Sequence, residues 1–164
     1  MGFAVAEALA GRWGLSRPRE RYRGRLREGR AGPGGPRIAV LEPQTYMNDA
    51  GRSVGPARGA YRLALERVLV VHDEIDLPFG EVRTRVGGGL AGHNGLKSLR
   101  RDLGAPDFAR VRVGVGRPDS TDPEIVSAHV LGRFGQSPQE VDELVARAAD
   151  AAAAVVQAGA DPPH

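Results

Sequence analysis

The run Val68-Leu-Val-Val-His-Asp-Glu-Ile-Asp-Leu-Pro-Phe-Gly80 constrains this chain more than any other part of it. A short apolar, mostly β-branched run that empties into an acidic turn reads as a buried parallel strand, since such strands are covered on both faces and show no polar alternation. The run predicts an α/β layer structure that delivers the carboxylate of Asp73 to the C-terminal edge of a strand. A short basic segment follows, and then Gly87, Gly88, Gly89, Gly92 and Gly95, where the backbone must bend sharply or approach another group closely. Open α/β sheets bind ligands beyond the carboxyl ends of their strands, so Asp73 and Asn94 are expected to converge on one crevice.

The rest of the pattern alternates helices with strands. Phe3, Ala6, Leu9, Ala10 and Trp13 share a helical face that stops at Gly14. Tyr22, Gly24 and Leu26 alternate with arginines and predict a half-exposed strand. The Gly- and Pro-rich segment 31–36 predicts a turn, and Ile38 to Leu41 a buried strand. Asp49 to about Leu65 predicts a helix that Pro56 kinks or delays. Further strands are expected at Glu81 to Val86 and across Val111, Val113 and Val115. Further helices are expected at Gly95 to Leu103, Pro123 to Val130 and Pro138 to Gln157. Together these predict a single three-layer α/β/α domain with a mixed, largely parallel sheet, spanning residues 1–158, with a frayed tail at 159–164.

Bulk composition narrows the function. No apolar run reaches the roughly 18 to 20 residues that cross a bilayer, and no secretory signal is visible. With no cysteine, disulfides and thiolate metal sites are excluded; a cytoplasmic protein is the simplest expectation. The net charge is +3, and Lys97 is the sole lysine. Arginine favours bidentate contact with phosphate, which suits RNA. A GC-rich coding sequence accounts equally well for the general arginine bias, so charge alone does not establish nucleic-acid binding.

Three further blocks sharpen the reading. They are Thr45-Tyr-Met-Asn-Asp-Ala-Gly-Arg-Ser-Val54, Arg110-Val-Arg-Val-Gly-Val-Gly-Arg-Pro118 and Val130-Leu-Gly-Arg-Phe134. With Val68 to Lys97 they form four blocks whose wording and order resemble the bacterial peptidyl-tRNA hydrolase family. The resemblance implies hydrolysis of the ester between a peptide and the terminal ribose of tRNA, a reaction that needs a base for water, an orienter for that base, and donors for the oxyanion.

By the same resemblance, Asp73 orients the base histidine. Asn48 and Asn94 contact the substrate near the scissile ester, Asn94 as part of the catalytic set. Tyr46 lines the pocket for the terminal adenosine with Met47 packed beneath, and Arg83, Arg85 and Arg112 hold tRNA phosphates. Each position also has a plainer reading: a turn cap for Asp73, helix N-caps for Asn48 and Asn94, and solvated strand charges for the arginines. Glu74 and Asp76 are expected to serve turn chemistry and solvent. His93 is expected to shape its loop. It and His72 are weak candidates for a substitute base.

One departure bears on activity. Family members open with a strand and loop of the type Val-Gly-Leu-Gly-Asn-Pro-Gly, followed by Thr-Arg-His-Asn-Val/Ala-Gly-Phe, and Met1-Gly2-Phe3 aligns with the end of that segment. The first strand and the catalytic histidine are therefore expected to be missing, with the true start upstream and the present form inactive or impaired. The C-terminal Gly-Ala-Asp-Pro-Pro-His also departs from the family pattern. The implied substrate is peptidyl-tRNA, attacked by water without a metal or organic cofactor, by a monomer needing neither membrane nor obligate protein partner. The competing reading is a non-catalytic RNA-binding relative that keeps the groove without the chemistry.

Overall fold

Val5 and Leu9, one helical turn apart and buried, anchor the first element, α1 (Gly2–Trp13), against the sheet. The computed structural model describes residues 2–45, 49–87, 94–116 and 137–160. After α1 the chain forms a meander, β1 (Arg19–Arg21), β2 (Gly24–Arg30) and β3 (Arg37–Pro43), paired antiparallel in that order. Helix α2 (Gly51–Tyr61) and a short 3₁₀ turn (Leu65–Arg67) lead to β4 (Leu69–Glu74). Then come β5 (Val82–Val86), α3 (Asn94–Leu103), β6 (Ala109–Gly114) and the long α4 (Pro138–Ala160). The second sheet has the order β4-β6-β5, with β4–β6 parallel and β5–β6 antiparallel.

The β4-β6-β5 sheet is the middle of three layers. On one face Val71, Val111, Val113 and Val82 pack with Val5 and Leu9 of α1 and Leu144, Ala148, Ala149 and Ala152 of α4. On the other, Val68, Val70 and Phe108 pack with Leu96, Leu99 and Leu103 of α3. The small alanines of α4 let its backbone come close to α1, and Arg12 pairs with Asp150 across the two helices at 2.7 Å. Ser137 and Pro138 start α4 as an N-cap and first helical residue, the Ser137 hydroxyl accepting from the Glu140 N–H at 3.2 Å.

The α/β character and mixed sheet match the sequence reading, but the parallel content is smaller than expected. Of the four ladders among the described residues, only β4–β6 is parallel. Short turns join β1 to β2 and β2 to β3, whereas α3 lies between the antiparallel β5 and β6; of the strand predicted across Tyr22, Gly24 and Leu26, the last two lie in β2 and Tyr22 falls at the tip of the β1–β2 hairpin. Tyr22 and Arg23 form its two-residue loop, both with positive φ (53° and 54°), the backbone twist that joins antiparallel strands tightly. Non-glycine residues hold this conformation at a cost of about 1–2 kcal/mol each. Helix α2 carries Pro56 inside it and begins at Gly51 without a side-chain cap of its own. The Gly51 N–H donates instead to the Ser98 hydroxyl of α3 at 2.8 Å. The expected helix at Pro123 to Val130 and the tail after residue 160 lie outside the described residues.

Between the sheets lies a cavity of about 950 Å³. Its walls come from β3 (Ile38 to Pro43), from Leu69 and Val71 of β4, from Phe3 and Ala6 of α1, and from Val155 and Val156 of α4. Both flanking strands are edge strands within their sheets.

Candidate active site

Strand β4 carries its apolar residues into the interior and then presents His72, Asp73 and Glu74 at its C-terminal end. The parallel register sets His72 beside Arg112, Asp73 beside Val113 and Glu74 beside Gly114. Side chains alternate across a strand, so Asp73 shares the α1–α4 face with Leu69 and Val71, whereas His72 and Glu74 lie on the opposite face. One carboxylate oxygen of Asp73 is buried.

The acidic turn is stitched down over this end. Val115 N–H donates to the Glu74 carbonyl at 3.1 Å, Gly116 N–H to Leu77 at 2.9 Å and Gly114 N–H to Glu81 at 2.8 Å. Gly114 is required for this closeness, since a Cβ there would stand 2.2 Å from the Pro78 carbonyl oxygen. The turn is therefore held tightly against the end of β6, directly after Asp73 and Glu74.

Glu74 departs from its sequence reading. It is the last residue of β4, 5% exposed, and its Oε1 accepts from Arg112 Nε at 3.2 Å and Nη2 at 2.9 Å. A buried carboxylate needs such a partner, and solvent does not supply it. His72 is likewise buried. Its Nδ1 donates to the Asp73 carbonyl at 2.9 Å, and burial pushes its pKa below the ordinary value, more than the nearby acids raise it. The His72 imidazole thus stands on the opposite face of β4 from the Asp73 side chain.

The basic residues divide. Arg83 and Arg85 of β5 are exposed, Arg83 pairing with Glu81 at 3.2 Å. The register places Arg83 opposite Arg112 and Arg85 opposite Arg110, so four guanidinium groups share one face of the sheet. Arg110 was missed by the sequence reading, because its alternation with valines resembles an ordinary strand edge. It is 2% exposed, lies over the Phe108 ring at 4.6 Å and donates to the Pro106 carbonyl at 2.8 Å. Burial and then the like charges of Arg85 and Arg112 lower its pKa. Like charges held side by side repel, and their positive potential favours an anion in front of them.

Tyr46, Met47, Asn48 and His93 lie outside the described residues, as does the Asn94 side chain. Their flanks are close together: α2 and α3 begin just after these segments, and the Gly51–Ser98 bond ties the start of α2 to α3. Ala50 occupies the N-cap position of α2. Among the described residues no group of three His, Asp or Glu side chains is placed to hold a metal ion, and no helix is long and apolar enough to cross a membrane.

These features define an α/β protein that presents one acid near the carboxyl end of a parallel strand, with an arginine face on the opposite side of the sheet. The family model described as Peptidyl-tRNA hydrolase matches residues 1–162. A peptidyl-tRNA hydrolase of Granulibacter bethesdensis is 44% identical over 162 residues, covering 98% of this chain and 81% of the relative. One from Mycobacterium sp. (strain KMS) is 43% identical over 164 residues, covering 99% and 83%. A crystal structure of a peptidyl-tRNA hydrolase in complex with N-propanol superposes with a TM-score of 0.81 at 36% identity, covering 97% of this chain and 80% of that one. The Acinetobacter baumannii peptidyl-tRNA hydrolase structure gives 0.80 at 35%, covering 96% and 78%. The chain belongs to the peptidyl-tRNA hydrolase family.

Proposed function

We propose that this protein hydrolyses the ester bond of peptidyl-tRNA in the cytoplasm, as a monomer, with Asp73 orienting the base, Asn48 and Asn94 gripping the substrate around the ester, and Tyr46 and Met47 forming the adenosine pocket. The observation that carries the reading is the placement of Asp73. It lies near the carboxyl end of β4, directly before the 75–81 turn that is bonded to residues 114–116, in a chain that shares its family across nearly its whole length. Arg83 and Arg85, exposed on the arginine face, are the phosphate-holding residues; Arg112, engaged with Glu74, supports them as part of the same field.

Beside this strand, Gly2 packs against the Val71 carbonyl, where an added Cβ would stand 2.7 Å from the oxygen, two residues from Asp73, and the neighbouring cavity is bordered by the strand edges of β3 and β4.

The test is release of peptide from peptidyl-tRNA by the protein and by Asp73→Asn, which should be slower by roughly 10² to 10⁴, the usual contribution of positioned acid–base chemistry. Tight tRNA binding with no hydrolysis would favour the non-catalytic RNA-binding relative.

A further inference from the structure

The β1–β2 hairpin carries a charge pattern the hydrolytic reading leaves unused. The nine residues from Arg17 to Arg25 hold five arginines against the single Glu20. Arg19 is paired with Glu28. Among the described residues Arg17, Arg21 and Arg23 make no ion pair, and all three are exposed. The Arg21 guanidinium lies over the Tyr22 ring at 5.1 Å, and the Tyr22 and Tyr61 rings pack at an inclined angle with centroids 6.5 Å apart. Arg62, which follows Tyr61 at the end of α2, is exposed and also left-handed, at φ 54°.

Three non-glycine residues in left-handed backbone thus cluster around one pair of tyrosines: Tyr22, Arg23 and Arg62. Asparagine and glycine suit such a turn far better, so packing alone does not explain why a tyrosine and an arginine occupy it. Strain of this kind is retained where the side chains it presents are used. The position is also informative. Arg23 carbonyl accepts from the Gln44 N–H at 2.9 Å, and Gly24 pairs with Pro43, so the hairpin tip borders the chain two residues before Tyr46.

We propose that this tip is a second RNA-contacting surface, with Arg21, Arg23 and Arg62 binding phosphates of an RNA strand and the Tyr22 ring offering a platform for a base. The inference rests on the hydrolase reading and extends the footprint of the substrate beyond the ester and the β5 arginines. Guanidinium groups recognise phosphate in a fork, and an aromatic face accepts any base by stacking.

The experiment measures binding of fluorescently labelled uncharged tRNA by two double variants across a salt series. Arg21→Glu with Arg23→Glu should weaken binding about tenfold and flatten the salt dependence by about one to two units of slope. Tyr22→Asn with Arg23→Gly relaxes the turn and removes the ring, and should raise Tm while weakening tRNA binding. Unchanged affinity and slope in both, with Tm raised only in the second, overturns the proposal and leaves the hydrolase reading standing. No binding by the unaltered protein overturns both. Should the charge-reversed variant fail to fold, the Asn-Gly variant decides alone.

Discussion

Arg112 grips Glu74 from the neighbouring parallel strand, two guanidinium nitrogens converging on one carboxylate oxygen at 3.2 and 2.9 Å. Both side chains are largely shielded, 20% and 7% exposed. The pair stands on the opposite face of β4 from the Asp73 side chain, at the end where the acidic turn folds over.

Breaking this pair should therefore cost stability. Removing one member of a shielded pair leaves an uncompensated charge, typically a loss of about 3–5 kcal/mol. Arg112→Met is expected at the lower end, because Arg112 keeps some solvent contact, and replacing both members should restore part of the loss. Urea unfolding of the two single variants and the double variant checks this; additive losses would show that the two side chains do not act as a pair.

His72 gives a pH signature. Its folded pKa is depressed by burial, so the unfolded chain binds a proton that the folded one refuses. The contribution is present above the ordinary histidine value of about 6.5 and is lost as pH falls through the folded pKa. Tm measured from pH 8 down to 5 should decline below about 6.5, and His72→Gln should shallow that decline. An identical slope in the variant would assign the acid sensitivity elsewhere.

Tyr61 should titrate late. Burial and a hydrogen bond to Glu28 push its phenol up to about 12. A folded pKa raised above the ordinary value contributes stability that is present below pH 10 and lost as pH rises toward 12. Ultraviolet difference titration should show one tyrosine ionising later than the rest, and Glu28→Gln should bring it down.

Gly114→Ala tests whether the 75–81 turn positions Asp73. The added methyl would meet the Pro78 carbonyl oxygen at 2.2 Å, a backbone atom that no side-chain rotation can move aside, so the 75–81 turn must shift. Overpacking of this kind costs about 1–3 kcal/mol, or roughly 2–12 °C in Tm for a domain of this size. In hydrolysis of peptidyl-tRNA the same change should lower kcat more than it raises KM. A Tm loss with kinetics intact would mean that Asp73 is held by other contacts.

Much of the fold was legible in the sequence, and for local reasons. The β-branched run of β4, the helical stripe of α1 and the valine alternation of β6 each state a periodicity that burial must satisfy, so their elements lie where the sequence placed them. Asp73 at the end of β4 follows from the same run. What tertiary structure decided is what depends on partners distant in the chain. No local signal says that Ser98 caps α2 through Gly51, that Glu74 is buried against Arg112, that Arg110 joins the arginine face, or that Tyr22 and Arg23 turn a hairpin rather than continue a strand. Each is a pairing across a register or between helices, and a register is chosen by the packing of the whole sheet rather than by the residues on either side.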